Sequence, residues 1–202
     1  WSENILPDLK ADNRNKETYF LLQLQLANAY TLRGDISLAI DRARLMYEEA
    51  KETGYDFGMV VANQAIGDAY TIASQYDKAS EAYQNALKEL SLISPQHPYR
   101  TQLLLKASNT LQRKGRLEKA RRVLNDIDKA LLQQPDYATG FFAAIEKANY
   151  AISHGHLSKT YLKEAAKYLQ DMDSIYRLYP EKFYYFHLKY TAAAYYRAMG
   201  NW

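Results

Sequence analysis

Four alanines, Ala39, Ala79, Ala120 and Ala165, recur at intervals of 40, 41 and 45 residues. Recurrence at such a period means one supersecondary unit used again and again, and no other feature narrows the fold as far. Each alanine is followed 15 or 16 residues later by a helix breaker: Gly54, Pro95, Pro135 and Pro180. A second series of breakers, Gly34, Ser74, Gly115, Gly155 and Gly200, runs ahead of the alanines. The first three stand five residues before their alanine, whereas the fourth unit is longer and residues 156–160 read as an insertion of about five.

Inside each unit the spacings are helical. Seven residues before the central breaker lies a small side chain: Ala27, Gly67, Ser108, Ala148 and Ala193. Four before it lie Tyr30, Tyr70, Leu111, Ala151 and Tyr196, and two after it Ile36, Tyr76, Leu117, Leu157 and Trp202. Four after the anchoring alanine come Ala43, Tyr83, Leu124 and Leu169; seven after come Met46, Ala86, Ile127 and Met172. Intervals of three, four and seven put such residues on one face of an amphipathic helix. Each unit is therefore two helices with a tight turn between them, where Gly supplies positive φ. The closing Pro or Gly stops the second helix. The small residues are there because helices packed ~8–10 Å apart leave room only for Ala, Gly or Ser where they cross.

The order small residue, Tyr, Gly turn, Ala, aromatic or apolar residue, Ala and Pro resembles the tetratricopeptide repeat (TPR). Gly67, Tyr70, Ala79, Tyr83 and Ala86 match it within one unit, and the resemblance extends from Asn15 to Trp202. The chain departs from the family in two ways. Gln23, Asn63, Leu104, Ala144 and Lys189 stand where the first helix usually carries Trp, and the period is ~40 rather than ~34. The stretch from Glu48 to Tyr70 is similar to the long-helix subclass found in kinesin light chains and in bacterial TPR-containing sensor kinases and transcriptional regulators.

The resemblance implies an all-α fold: a right-handed superhelical solenoid of helix-turn-helix repeats, about nine helices, each unit burying its apolar face on its neighbour. The expected helices are 15–33, 36–53, 56–73, 76–93, 98–114, 117–134, 137–154, 160–178 and 181–199. They make one array over 15–202, in units of about 15–54, 55–95, 96–135, 136–180 and a truncated 181–202, after an irregular lead-in over 1–14. Phe183, Tyr184, Tyr185, Phe186, Tyr190, Tyr195, Tyr196 and Trp202 crowd the last helix, whose partner helix is missing. Terminal repeats need a polar outer face, so the chain reads as a piece of something longer, with association through this edge as the alternative.

Composition closes off several classes. Gly and Pro number only 8 and 5, which argues against disorder and against a turn-rich all-β fold. There is no Cys, hence no disulfide and no thiolate metal site. The net charge of +3 demands neither nucleic acid nor an anionic membrane. No apolar run approaches the ~20 residues of a membrane span, so a membrane enters only through segments outside this chain.

Catalytic signatures are lacking: no Gly-rich phosphate loop, no HExxH helix and no nucleophile motif. His154 and His156 offer two metal ligands without a third or fourth, and read as a solvated loop capping a helix. Asp126 with Asp128, and Asp171 with Asp173, are two residues apart and so fall on different helix faces, as solvated surface. The basic run from Arg113 to Arg122 has no interleaved aromatics and reads as a solvated face rather than a nucleic-acid footprint. No cofactor, metal or directly contacted nucleic acid is expected.

The stronger signal is a row of amides. The residue after each small crossing residue is Asn28, Asp68, Asn109, Asn149 or Ala194. An amide carries donors and an acceptor, so one per repeat matches the backbone of an extended peptide. The resemblance places this row on a concave groove, where kinesin light chains grip ligand backbone with a similar asparagine series. Thr31, Gln64, Thr71, Lys106, Gln112, Glu146 and Tyr190 share that face and would set side-chain preference. The same amides have a second available role, bonding to adjacent helices and stiffening the stack. The carboxylate clamp of chaperone-binding members needs a Lys four residues before the Asn; Leu24, Gln64, Leu105, Ile145 and Tyr190 occupy the positions here, so a C-terminal carboxylate is not the expected ligand.

The resulting expectation is a non-enzymatic module binding a protein or extended peptide. It is the extracytoplasmic, periplasmic input domain of an inner-membrane bacterial signalling protein with a kinase or DNA-binding output. The alternative is a cytoplasmic TPR regulator that gates such an output directly.

Overall fold

The computed structural model describes residues 15–133 and 135–200 of the 202-residue chain. The lead-in expected over 1–14 and the apolar position of Trp202 lie outside the described residues. Nine helices are present among these: α1 (Lys16–Arg33), α2 (Ile36–Glu52), α3 (Asp56–Ile72), α4 (Tyr76–Ile93), α5 (Tyr99–Arg113), α6 (Leu117–Gln133), α7 (Tyr137–Ser153), α8 (Lys159–Leu178) and α9 (Lys182–Ala198). No described residue is in a strand. Every helix end falls within one residue of its expectation from sequence, because the punctuating Gly, Ser and Pro residues act where they stand. The helices fall into two compact units, one ending at Thr110 and the other beginning at Leu111.

In the first unit α1 packs on α2 and α3, and α3 packs on α2 and α4. Phe20, Leu24, Ala27, Ala43, Met46, Ala50, Val61 and Ala65 form the cluster where α1, α2 and α3 meet. Val60, Ala86, Leu90 and Leu103 form another between α3, α4 and α5. Each large side chain removed from water here contributes about 1.5–3 kcal/mol. Gly67 permits the closest approach: a Cβ built on it would lie 2.6 Å from Cε1 of Tyr83. In the second unit α7 packs on α6, α8 and α9, with Phe141, Ile145, Met172 and Leu188 at the centre. The four anchoring alanines Ala39, Ala79, Ala120 and Ala165 are all completely buried, as the crossing argument requires.

The turns repeat as well as the helices. Asp35 N–H donates to Tyr30 O and Gly34 N–H to Thr31 O; Gln75 to Tyr70 and Ser74 to Thr71 follow suit, then Arg116 to Leu111 and Gly115 to Gln112. This is the Schellman arrangement, with its left-handed residue at Gly34 (φ 92°), Ser74 (φ 58°) and Gly115 (φ 75°). Gly200 shares the positive φ, but Gly155 does not. The fourth unit turns through residues 154–158, and α8 starts six residues before Ala165 instead of three. The five-residue insertion is thus divided between a longer turn and an extra helical turn. Gly155 is small there for a steric reason, since a Cβ would meet Leu162 Cδ2 at 2.5 Å.

His154 departs from the expected solvated loop. It is 9% exposed, its Nδ1 lies 2.8 Å from Tyr150 O, and its ring sits between those of Tyr150 and Tyr161. The extra length of the fourth turn lets Tyr161 cover it. Asp128 is likewise not idle surface: it accepts from the ammonium of Lys147, whose side chain is only 13% exposed.

Candidate functional site

In the first unit, α1, α3 and α5 present the polar positions singled out by the repeat. Asp68 is their centre. Lys106 Nζ lies 2.9 Å from each Asp68 carboxylate oxygen, Tyr83 hydroxyl donates to Oδ1 at 2.6 Å, and Gln64 Nε2 donates to Oδ2 at 3.4 Å. Tyr99 hydroxyl in turn donates to Gln64 Oε1 at 2.6 Å. Thr71 hydroxyl donates to Gly67 O and lies 3.1 Å from Thr110 Oγ1. One continuous polar network therefore ties α3 to α4 and α5. Burial, with the Asp68 charge second, pushes the Tyr83 and Tyr99 phenols far above the ordinary tyrosine value. Both remain neutral donors. The Lys106–Asp68 pair is partly buried, with side chains 31% and 13% exposed, and removing one partner strands the other.

The other positions divide by exposure. Thr31 and Gln64 are buried, at 3% and 1% exposed, and the Thr31 hydroxyl is spent on Ala27 O. Asn28 and Asn109 are half-buried. In the second unit Gln112 Nε2 donates to Glu146 Oε2 at 2.7 Å and to Glu146 O at 3.3 Å, joining α5 to α7. Asn149 is exposed. Tyr190 is 70% exposed and stacks on Phe186 with ring centroids 6.3 Å apart. The structure thus brings Gln64, Asp68, Thr71 and Lys106 together, and Gln112 with Glu146. Asn28, Asn109 and Asn149 stand on separate helices, α1, α5 and α7. The network adds Tyr83, Tyr99 and Thr110, which the sequence does not mark as site residues. Tyr83 registers there only as a packing position, and its hydroxyl is aimed by a fold that brings residue 83 onto residue 68.

The second unit also holds an open groove of about 920 Å³ between α8 and α9. Leu169, Leu188, Ala192, Ala193 and Tyr196 floor it, and the Arg177–Asp173 ion pair stands on its rim. Ala27, Gly67, Ser108 and Ala148 are buried, whereas Ala193, at the same place in the repeat, is exposed. No described helix lies over it.

Among the described residues no group of three or more His, Asp or Glu side chains could hold a metal, and no helix is long and apolar enough to cross a membrane.

The paired helices, the Schellman turns and the buried small residues define the TPR-like repeat fold, and comparison with solved structures agrees. The chain is similar to a kinesin-light-chain-type protein of Podosopora anserina with nearly identical TPR-like repeats, at 16% identity and TM-score 0.66, over 88% of this chain and 85% of that one. A single-substitution form of that protein aligns at TM-score 0.67, again with 16% identity and the same coverage. The apo form of RapI aligns at TM-score 0.58 and 14% identity, over 100% of this chain and 76% of that one. No family model and no curated protein matches the sequence. At these identities the likeness is one of fold.

Proposed function

We propose that the chain is a non-enzymatic module that holds an extended peptide or partner segment against the first-helix face of its repeats. In this reading it serves as the sensing part of a larger bacterial signalling protein, on the periplasmic side. The observation that carries the binding role is the braced polar surface of the first unit. Lys106, Asp68, Gln64, Tyr83 and Tyr99 fix one another, so Asn109, half-buried on the helix that carries Tyr99 and Lys106, stands on a rigid base. Pre-organised donors and acceptors lower the entropic cost of gripping a flexible peptide. Asp68 and Gln64 act here as braces, and Asn28, Asn109 and Asn149 as the groups that meet backbone.

The test is selection from a random peptide library, followed by affinity measurements on Asn109→Ala plus Asn149→Ala. Loss of two peptide hydrogen bonds lowers affinity by about tenfold or more with an unchanged melt. Unchanged affinity overturns the role of the amides, and failure to select any peptide overturns peptide recognition. A topology reporter fused to the full-length protein tests the compartment separately.

A further inference from the structure

A second pocket in the first unit, about 380 Å³, lies away from the Asp68 network between α2 and α4, with α3 as its floor. Asn63 and Ile66 form the floor; Arg44, Tyr47 and Glu48 rise from α2, and Asn85 and Glu89 from α4. Asn63 is only 8% exposed, and what remains of its amide surface faces this pocket. It has no hydrogen-bond partner among the described residues. The amide is therefore left to solvent in the pocket rather than to a protein partner, an uncommon state for a side chain so deeply placed.

The preceding repeat shows what such an amide binds. Gln23 is the counterpart of Asn63, forty residues earlier and equally buried, at 6%. There the amide is fully employed: Gln23 Nε2 donates to Tyr19 hydroxyl at 2.8 Å, and Arg42 Nε donates to Gln23 Oε1 at 3.0 Å. Tyr19 hydroxyl donates onward to Glu49 at 2.7 Å. In the next repeat, the Arg42 position is Ala82 and the Tyr19 position is Met59, while the Glu49 position keeps its carboxylate as Glu89. The amide and the acid are retained, while both the hydroxyl that bridged them and the guanidinium that served the amide oxygen are gone.

The charge balance of the pocket points the same way. Neither Glu48 nor Glu89 has a cationic partner among the described residues. The one cation at the pocket, Arg44, is exposed and directed to Asp41 at 3.7 Å. Burial and the charges of Glu89 and Glu48 raise the Tyr47 phenol, so the field inside is negative. A guanidinium presents planar N–H donors that serve an amide oxygen and a carboxylate at once.

We propose that the pocket between α2 and α4 binds a guanidinium group, with Asn63 Oδ1 and the carboxylates of Glu48 and Glu89 as acceptors. The group replaces from outside what Arg42 supplies within the preceding repeat. Its source is either a small guanidinium compound or an arginine side chain of a partner.

The full chain is titrated with n-butylguanidinium and, separately, with an acetylated and amidated Ala-Arg-Ala tripeptide, following by NMR the side-chain amides of Asn63 and of Asn85, which also lines the pocket and remains in the Asn63 variant. Saturable shifts at millimolar concentration are expected, with n-butylammonium weaker. Binding of both ligands identifies an arginine side chain as a competent source; binding of n-butylguanidinium alone points to a small molecule. Glu89→Gln weakens binding by about tenfold, and Asn63→Leu, which installs the residue type of Leu104, abolishes it while the protein still melts cooperatively. Absence of a saturable shift overturns the proposal, as does undiminished binding by Asn63→Leu. If only Arg44→Ala binds, Arg44 fills the pocket itself and the proposal also fails.

Discussion

The ring of Tyr83 packs directly on the backbone of Gly67, close enough that any Cβ there would come within 2.6 Å of it, while its hydroxyl reaches one residue further to donate to Asp68. The smallest residue of the repeat faces one of the largest. Gly67→Ala is expected to destabilise the chain by about 1–2 kcal/mol: overpacking costs ~1–3, and Ala returns up to ~1 in helix propensity. Adding Tyr83→Leu, which copies the small–Leu combination of Ala148 and Leu169, should relieve that overpacking. Urea melts of the two single variants and the double variant close the cycle; strict additivity would sink this account of the pair.

The raised Tyr83 and Tyr99 phenols give a pH dependence of definite sign. Both hold their protons more tightly folded than unfolded, so their contribution is fully present below the unfolded tyrosine value of 10.0 and declines as pH rises above it. Stability should fall above pH 10 with a slope approaching ~1.4 kcal/mol per pH unit for each. Urea midpoints at a series of pH values read the slope, and Tyr83→Phe should make it shallower.

Ser74 occupies a turn position that glycine fills in the neighbouring repeats, with φ of 58°. Ser74→Gly should stabilise by about 0.5–1 kcal/mol, the relief of left-handed strain exceeding the entropy glycine adds to the unfolded chain. A rise in Tm of a few degrees supports this; a fall shows that the Tyr76–Ser74 hydrogen bond outweighs the strain.

Equivalent positions should respond unequally at Ala148 and Ala193. Ala148→Leu overfills a site with no exposure and should cost about 2–3 kcal/mol. Ala193→Leu enters the open groove beside α9 and should fall within ~0.5 kcal/mol of the parent. Thermal melts of the two variants decide it, and an equal loss would mean that Ala193 is packed as tightly as its counterpart.

The fold is legible in the sequence because its determinants are local and repeated. Gly34, Ser74, Gly115 and the prolines end helices by backbone geometry, and Ala39 through Ala165 declare the crossings by their size. The site is less legible. Asp68 reads as one member of an amide row, yet its carboxylate is committed to Lys106, 38 residues away, and to Tyr83 on the next helix. Spacing places a residue on a face; it does not say which neighbour claims its side chain. His154 escapes the sequence for a related reason, since its burial depends on Tyr161, which only the lengthened fourth turn brings over it. Asn63 stands out in the sequence merely as a departure from Trp. Its meaning emerges when its surroundings are compared with the partners of Gln23.

The fit between Gly67 and Tyr83 joins the two helices of a single repeat. Recombination at Pro95 transfers both halves of such a match and leaves this interlock intact. A crossover at Ser74 would set one unit's front half against a stranger's back half. By this interlock alone an exchange at Pro95 disturbs less than one at Ser74, although it still parts Asp68 and Gln64 from Lys106 and Tyr99.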